Sequence, residues 1–507
     1  MSNPLFDRLF GSHAGSEAVF LRLPSGATVT YAAFLEMAAQ FAHVLVDLDI
    51  RPGDRIAMQI EKTPQSLAVY AACAQAGVVF LPLNTAYQAN EVAYFVQDSG
   101  AKLLLCDPAR EAEFGFMADG NALQIRSIGS DGAGSFTAQA ADKNAVFETV
   151  DRSEDDLAAF LYTSGTTGRS KGAMLSQANL LTNAEVLVSQ WQFTSADVLL
   201  HALPIFHTHG LFVATNVMLL VGGEMIFHPK FDLGQVIAAL PDATAMMGVP
   251  TFYTRLLGDT RFTGQLAAHM RVFISGSAPL LAETHRQFEE RTGKRILERY
   301  GMTETNMITS NPFNGERRAG TVGFPLPGVE VKITDAETGT LREAGEIGDI
   351  EVRGPNVFQG YWQMPEKTAE DMREDGFFIT GDLGRVDEDG YLTIVGRNKD
   401  LIISGGFNVY PKEVELVLDD QPGVLESAVI GVPHPDFGEA VVAVLVRDGD
   451  PDLEVIKAAL KDQLAGFKQP KALLLASELP RNTMGKVQKN VLRAQMEDVF
   501  AQSRSDA

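Results

Sequence analysis

The sequence predicts an α/β protein: a large, multi-layered N-terminal domain with functional residues at its strand ends, followed by a small α+β domain. Three observations carry this prediction. Through most of the first 400 residues, short apolar runs alternate with longer amphipathic stretches, as in stacked layers of strands and helices. Five of those runs lead into polar or Gly/Pro-rich segments, and open α/β sheets bind ligands at the carboxyl ends of their strands. Beyond a polar junction at Arg397, Asn398, Lys399 and Asp400, roughly the last hundred residues alternate strands and helices on a smaller scale.

Taken in order, the first layers come from an apolar run at 55–60, a helical stretch at 64–76 and a second run at 78–83. The runs at 158–161, 198–203, 243–247, 272–274 and 296–297 follow. They lead into segments 163–172, 204–210, 248–255, 275–279 and 300–305, which are expected to share one site. A turn at 387–390 and a strand at 391–395 close the large domain. The expected boundaries are 1–397 for the large domain, 398–400 for a hinge and 401–507 for the small domain. Within the small domain, strands at 428–432 and 441–446 alternate with helices at 411–419 and 453–464.

A chain of 507 residues is too long for one ordinary core. Its net charge of −23, from 42 basic against 65 acidic residues, makes it a poor nonspecific ligand for nucleic acid or an anionic membrane. Any anionic substrate must therefore be captured by a local cluster of positive charge or by a metal ion. Cys73 and Cys106 sit in apolar surroundings and suggest neither a disulfide nor a metal site. No signal peptide is visible in residues 1–15, and the apolar stretch 211–227 is too short and too polar to span a membrane. A soluble, cytoplasmic protein is expected.

The most informative segment is Thr163-Ser164-Gly165-Thr166-Thr167-Gly168-Arg169-Ser170-Lys171-Gly172. Glycines let backbone N–H groups approach an anion closely, the hydroxyls of Thr163, Ser164, Thr166 and Thr167 add donors, and Lys171 adds a point charge. This reads as a polyphosphate loop. It is not a Walker A loop, because Gly168 stands three residues before Lys171.

The segment resembles the signature of the adenylate-forming superfamily, with Ser170 where that family usually has proline. Tyr300-Gly301-Met302-Thr303-Glu304 resembles a second motif of the same superfamily. The resemblance implies that Tyr300 stacks on adenine, Thr303 contacts the α-phosphate, and Glu304 with Thr166 holds Mg²⁺. It implies that Gly276, Ser277 and Ala278 form the adenine-side loop and that Asp382 and Arg397 bind the ribose. Lys486, in a segment similar to the family's catalytic-lysine motif, would bridge a carboxylate and the α-phosphate. The cations Lys468, Lys471, Arg481, Lys489 and Arg493 lie near it in sequence and suggest a lid over ATP. By the same resemblance the small domain is mobile about Lys399, and its rotation would bring Ser404, Gly405 and Gly406 to the site as a channel for coenzyme A.

Leu203-Pro204-Ile205-Phe206-His207-Thr208-His209-Gly210 resembles the acyl-pocket motif, with His207 beside the reacting carboxylate and Thr208 shaping the pocket. The alternative for His207 read alone is a satisfied core histidine. Arg255 lies just beyond a strand end, where burying its charge unpaired would cost several kcal/mol; a second substrate carboxylate would resolve that, with Ser277 and Met307 completing a short pocket. On pattern alone Arg255 equally fits a surface position on a helix running toward Leu257. The combined motifs are similar to malonyl-CoA synthetases over essentially the whole chain. The resemblance implies ligation of malonate, with methylmalonate as a second substrate, to coenzyme A through an acyl-adenylate. Another short-chain or aryl acid, or a noncatalytic binding protein of the same fold, is the alternative. A lysine acetyltransferase acting on Lys486 is an expected partner, because loss of its charge would stop adenylation.

Overall fold

The computed structural model describes residues 2–118, 123–163, 170–405, 407–434, 437–482, 485–497 and 499–500. Among these residues the chain forms four sheets. The expectations for Ser164, Gly165, Thr166, Thr167, Gly168 and Gly406 fall outside the described residues.

The first layers follow the sequence closely. Thr63 and Ser66 cap the helix Pro64–Ala76 reciprocally, Pro64 opens it, and Gly77 ends it at φ +69°. Nearly every residue of this helix is buried, and it packs against the helix Tyr31–Asp47. The strands Arg55–Gln59 and Val79–Pro82 pair in parallel, as a helical crossover requires. They belong to a six-stranded sheet in the order Gln124–Ser127, Leu103–Cys106, Arg55–Gln59, Val79–Pro82, Leu157–Thr163 and Lys171–Ser176.

A nine-stranded sheet carries Val198–His201, Ala245–Gly248, Val272–Ser275 and Leu297–Met302 as parallel neighbours at its centre. Four of the five anticipated strand ends therefore share one sheet edge. The fifth, Leu157–Thr163, lies in the six-stranded sheet and pairs antiparallel with Lys171–Ser176. The two ends of the polyphosphate segment, Thr163 and Lys171, therefore stand opposite each other in one antiparallel pair. The apolar run alone did not say to which sheet its strand belongs.

The strand Leu297–Met302 also runs further than its apolar residues suggest, through Tyr300, Gly301 and Met302, before turning back as Asn306–Ser310. The stretch 211–227 divides into the end of a π-helical segment, His209–Thr215, the helix Asn216–Val221 and the strand Glu224–Phe227. Among the described residues no helix is long and apolar enough to cross a membrane.

An antiparallel sheet of Glu330–Thr334, Gly348–Arg353, Phe378–Val386 and Leu392–Arg397 completes the large domain. Asn398–Asp400 forms a single 3₁₀ turn, and Ile402–Ser404 opens a five-stranded sheet. That sheet holds the core of the small domain, with Val429, Val441 and Ala443 packed against Val414 and Leu418 of the helix Pro411–Asp419. Cys73 and Cys106 are buried free thiols.

Candidate active site

Asp382 and Arg397 face each other across two adjacent strands, and their pairing is a direct consequence of that register. Arg397 Nε lies 2.7 Å from Asp382 Oδ1, and the Tyr300 hydroxyl donates to Asp382 Oδ2 at 2.6 Å. Asp382 raises the pKa of Arg397, keeping the guanidinium charged. A carboxylate offers about four acceptor positions, so Asp382 retains capacity for two further donors.

Glu304 is buried beside this pair. Its Oε1 accepts from the Tyr361 hydroxyl at 3.0 Å, and burial raises its pKa above the usual carboxylate range, while Lys171 and Arg397 oppose that shift. Lys171 stands 4.0 Å above the Tyr361 ring and 3.7 Å from Asp371. The hairpin lysine and the Glu304 turn, on different sheets, therefore meet at Tyr361. Thr303 is half-buried next to Glu304.

The acyl-side segment meets the loop after Val272–Ser275. His209 Nδ1 lies 3.2 Å from Ser277 Oγ, and Ser277 adopts φ +71°, a conformation a non-glycine residue adopts at a cost. His207 is half-buried, and its pKa is pushed down to about 3, first by desolvation and then by Lys486 and Arg299. His207 is therefore neutral at pH 7. The enclosed atoms His207 Nδ1, Thr208 Oγ1, His209 Nε2 and Ser275 Oγ have no hydrogen-bond partner, although buried polar atoms are normally paired. Met307 is buried against Gly301, where an added Cβ would meet the Met307 Cε at 2.6 Å.

Arg299, from the strand Leu297–Met302, completes this cluster. It is 3% exposed, its Nε and Nη2 lack partners, and a Cβ on Gly276 would meet its Cζ at 2.3 Å. Desolvation lowers its pKa to about 9, which leaves it a cation at neutral pH. The expectation for Arg255 needs correction in its premise. Arg255 lies on the helix Pro250–Leu257, solvent-exposed, 5.9 Å from the Phe231 ring centroid. A solvated charge there carries no desolvation penalty for a substrate to relieve. The buried, unpartnered guanidinium is Arg299. Its signal in the sequence was a pair of charges, Glu298-Arg299, inside an otherwise strand-like run.

Lys486 reaches the same cleft. Its side chain is open to the solvent in the cleft, yet protein surrounds it closely enough to lower its pKa by desolvation, with Arg397 and Arg299 adding to that and Asp382 and Glu304 opposing it. Gly485 lies beside Thr251, which places this loop over the start of the helix Pro250–Leu257. The surrounding cations do not form a free basic cluster. Lys468 pairs with Glu413, Arg481 with Glu426, Lys489 with Glu415 and Arg493 with Asp400. Lys471 lies 5.3 Å from the Phe437 ring centroid. Lys399 is exposed in the 3₁₀ turn Asn398–Asp400. Ser404 is buried, and Gly405, at φ +59°, donates its N–H to the Phe437 carbonyl at 2.8 Å. Ser404 pairs with Phe407 and Gly438 in the five-stranded sheet.

Among the described residues no group of three or more His, Cys, Asp or Glu could hold a metal by itself. The donor chemistry at Glu304 nevertheless fits Mg²⁺, which takes one or two carboxylates and obtains its remaining ligands from phosphates and water.

Residues 7–362 match the AMP-binding enzyme family, and residues 413–486 match the AMP-binding enzyme C-terminal domain. ATP-bound MatB from Rhodopseudomonas palustris superposes with a TM-score of 0.96 at 54% identity, over 99% of this chain and 100% of that one. The apo form of the same protein gives 0.87 at the same identity and coverage. A malonate–CoA ligase from Arabidopsis thaliana is 36% identical, over 88% of this chain and 78% of its own length. A feruloyl-CoA synthase from Amycolatopsis is 37% identical, over 92% of this chain and 94% of its own. With residues 7–362, including Lys171, Arg299 and Glu304, in one matched segment and Lys486 in the other, the chain belongs to the AMP-binding enzyme family.

Proposed function

We propose that this protein ligates malonate to coenzyme A through an acyl-adenylate, releasing AMP and pyrophosphate. The observation that carries the malonate reading is Arg299, a buried guanidinium with two unpartnered nitrogens on the acyl side of the cleft. A bidentate pair with the distal carboxylate would satisfy both nitrogens. Thr208 and Met307 bound a short pocket, and Ser277 is held by His209. Arg255 attracts the dianion from the solvent side. The similarity to a malonate–CoA ligase supports the reading, whereas the similarity to a feruloyl-CoA synthase favours an aromatic monoacid. Those identities are nearly equal, so the charge of the pocket decides.

In the first step a malonate oxygen attacks the α-phosphorus of ATP, and the bond to pyrophosphate breaks. Thr303, Lys486 and the hairpin with Thr163 and Lys171 hold the phosphates, Tyr300 and the 276–278 loop hold adenine, and Asp382 and Arg397 hold the ribose. Mg²⁺, when bound through Glu304, would neutralise phosphate charge. His207, neutral at this pH, can lie beside the carboxylate without competing for it as a cation. In the second step the small domain, hinged at Lys399, presents Ser404–Gly405, and the thiol sulfur attacks the acyl carbonyl as AMP leaves. The mixed anhydride is already activated, so this step needs orientation more than acid–base help. The closer likeness to ATP-bound than to apo MatB, together with the position of Lys486, supports assigning this arrangement to the first step. ATP and coenzyme A as co-substrates argue for a cytoplasmic setting.

The test is AMP and thioester formation with malonate, methylmalonate, succinate, acetate, ferulate and octanoate. Preference for malonate is expected; preference for a monocarboxylate would keep the chemistry and discard Arg299 as an anchor.

A further inference from the structure

Lys62 is a buried lysine that the reaction above does not use. It lies between the strand Arg55–Gln59 and the helix Pro64–Ala76, and it is 7% exposed. Its Nζ is 2.7 Å from His201 Nδ1, 2.9 Å from the His201 carbonyl and 3.0 Å from the Leu203 carbonyl. The Phe227 ring centroid lies 4.3 Å away. Three acceptors match the three N–H bonds of an ammonium, and the aromatic face adds a fourth favourable contact. Burial lowers the pKa of both Lys62 and His201, and at His201 the neighbouring Lys62 lowers it further, so the imidazole is neutral.

The network also assigns the imidazole tautomer. His201 Nε2 lies 2.8 Å from the Gly210 carbonyl, so Nε2 carries the proton and Nδ1 is bare to accept from Lys62. The Thr215 hydroxyl donates to the same Gly210 carbonyl at 2.9 Å. Gly210 has no room to shift inward, because a Cβ there would meet the Pro204 carbonyl oxygen at 2.0 Å. Lys62 therefore grips the start of the segment 203–210 at Leu203, and through His201 it grips the end at Gly210. Between these two points stand His207, Thr208 and His209.

We infer that Lys62 is a positioning residue for the acyl site, holding the 203–210 segment against the Ser277 loop and Arg299 by way of His201. The inference rests on the acid-ligase reading above, which the unmutated protein tests separately through ATP- and CoA-dependent AMP release. Lys62→Met keeps an unbranched side chain of nearly the same length and removes the donors. If Lys62 positions the segment, the ratio of kcat/KM for malonate to that for acetate falls about 10- to 100-fold, the scale of a small misplacement of reacting groups. The KM for ATP stays within about twofold, since no nucleotide contact passes through this network. A purely structural role would lower the active fraction for both acids alike and leave the ratio unchanged. His201→Phe, which keeps a flat ring but loses both ring bonds, is expected to shift the ratio in the same direction. An unchanged ratio in either soluble variant would overturn the inference. Insolubility of both would also overturn it, because a clamp needed only for folding positions nothing.

Discussion

Replacing Arg299 by methionine removes the guanidinium while keeping most of the side-chain volume. Two nitrogen groups, Nε and Nη2, have no partner in the fold. A carboxylate placed there would gain two charge-assisted hydrogen bonds at roughly 1.5–3 kcal/mol each. Losing both takes away about 3–6 kcal/mol, or roughly 10²–10⁴-fold in kcat/KM. Because Arg299 is unpaired in the free protein, its removal should leave thermal stability equal or higher, as when a buried charge gives way to an apolar group. The assay is pyrophosphate release with malonate and with acetate, alongside thermal denaturation. Malonate turnover should collapse, acetate turnover should hold or rise, and the KM for ATP should not move. Arg255→Ala, which removes a solvated charge, should cost less than about tenfold. Malonate turnover of Arg299→Met within about threefold of the parent, or equal losses for both acids, would refute the anchoring role.

Lys486→Ala should lower adenylation by about 10²–10³-fold while leaving equilibrium ATP binding largely intact, as expected for a cation that acts on developing charge. Homogeneous acetylation of Lys486 should have the same effect, and normal adenylation by such a sample would exclude that control. Tyr361→Phe keeps the ring beneath Lys171 and removes one hydrogen bond to Glu304; the Mg²⁺ midpoint for activity should rise about tenfold, while an unchanged midpoint would detach Tyr361 from the metal's carboxylate. Glu298 is buried, with one oxygen accepting from the Leu280 N–H and the other unpartnered, and desolvation raises its pKa to about 8. The native state therefore holds a proton that the unfolded state loses near pH 4.5, so stability falls as pH rises from about 4.5 to about 8 and then levels off. Glu298→Gln should remove that slope and be more stable above pH 8 by roughly 3–5 kcal/mol at most; denaturant titrations across pH 5–9 would show it.

Local chemistry was legible where it determined local structure. The helix Pro64–Ala76 is bounded by its own Thr63 cap and by Gly77, and the helix Pro411–Asp419 by its initial proline, so their limits could be read directly. The strands Val198–His201 and Val272–Ser275 were visible as apolar runs. What was not legible depended on partners distant in the chain. Whether an arginine is solvated or enclosed follows from what packs over it. Arg255 is solvated, whereas Arg299 is enclosed because the loop carrying Gly276 lies against it. The free basic cluster around Lys486 dissolved for the same reason, because its neutralising carboxylates come from residues 400–426 and not from adjacent sequence. Lys62 gave no sequence signal at all, since its three acceptors lie about 140 residues away and two are backbone carbonyls.

Arg397 is the last residue of its sheet and is joined directly to the turn Asn398–Asp400. Its grip on Asp382 is therefore also the footing of the small domain. In the proposed cycle a nucleotide sugar docked on that pair loads the fixed end of the lever, and swinging the far end twists the backbone two residues on, at Lys399. Bound nucleotide then acts as ballast for the rotation: the joint turns against a weighted base while the adenylate is present and against a lighter one once AMP has gone. Timing between the two half-reactions can in this way be written into one short turn of backbone, without any separate sensor.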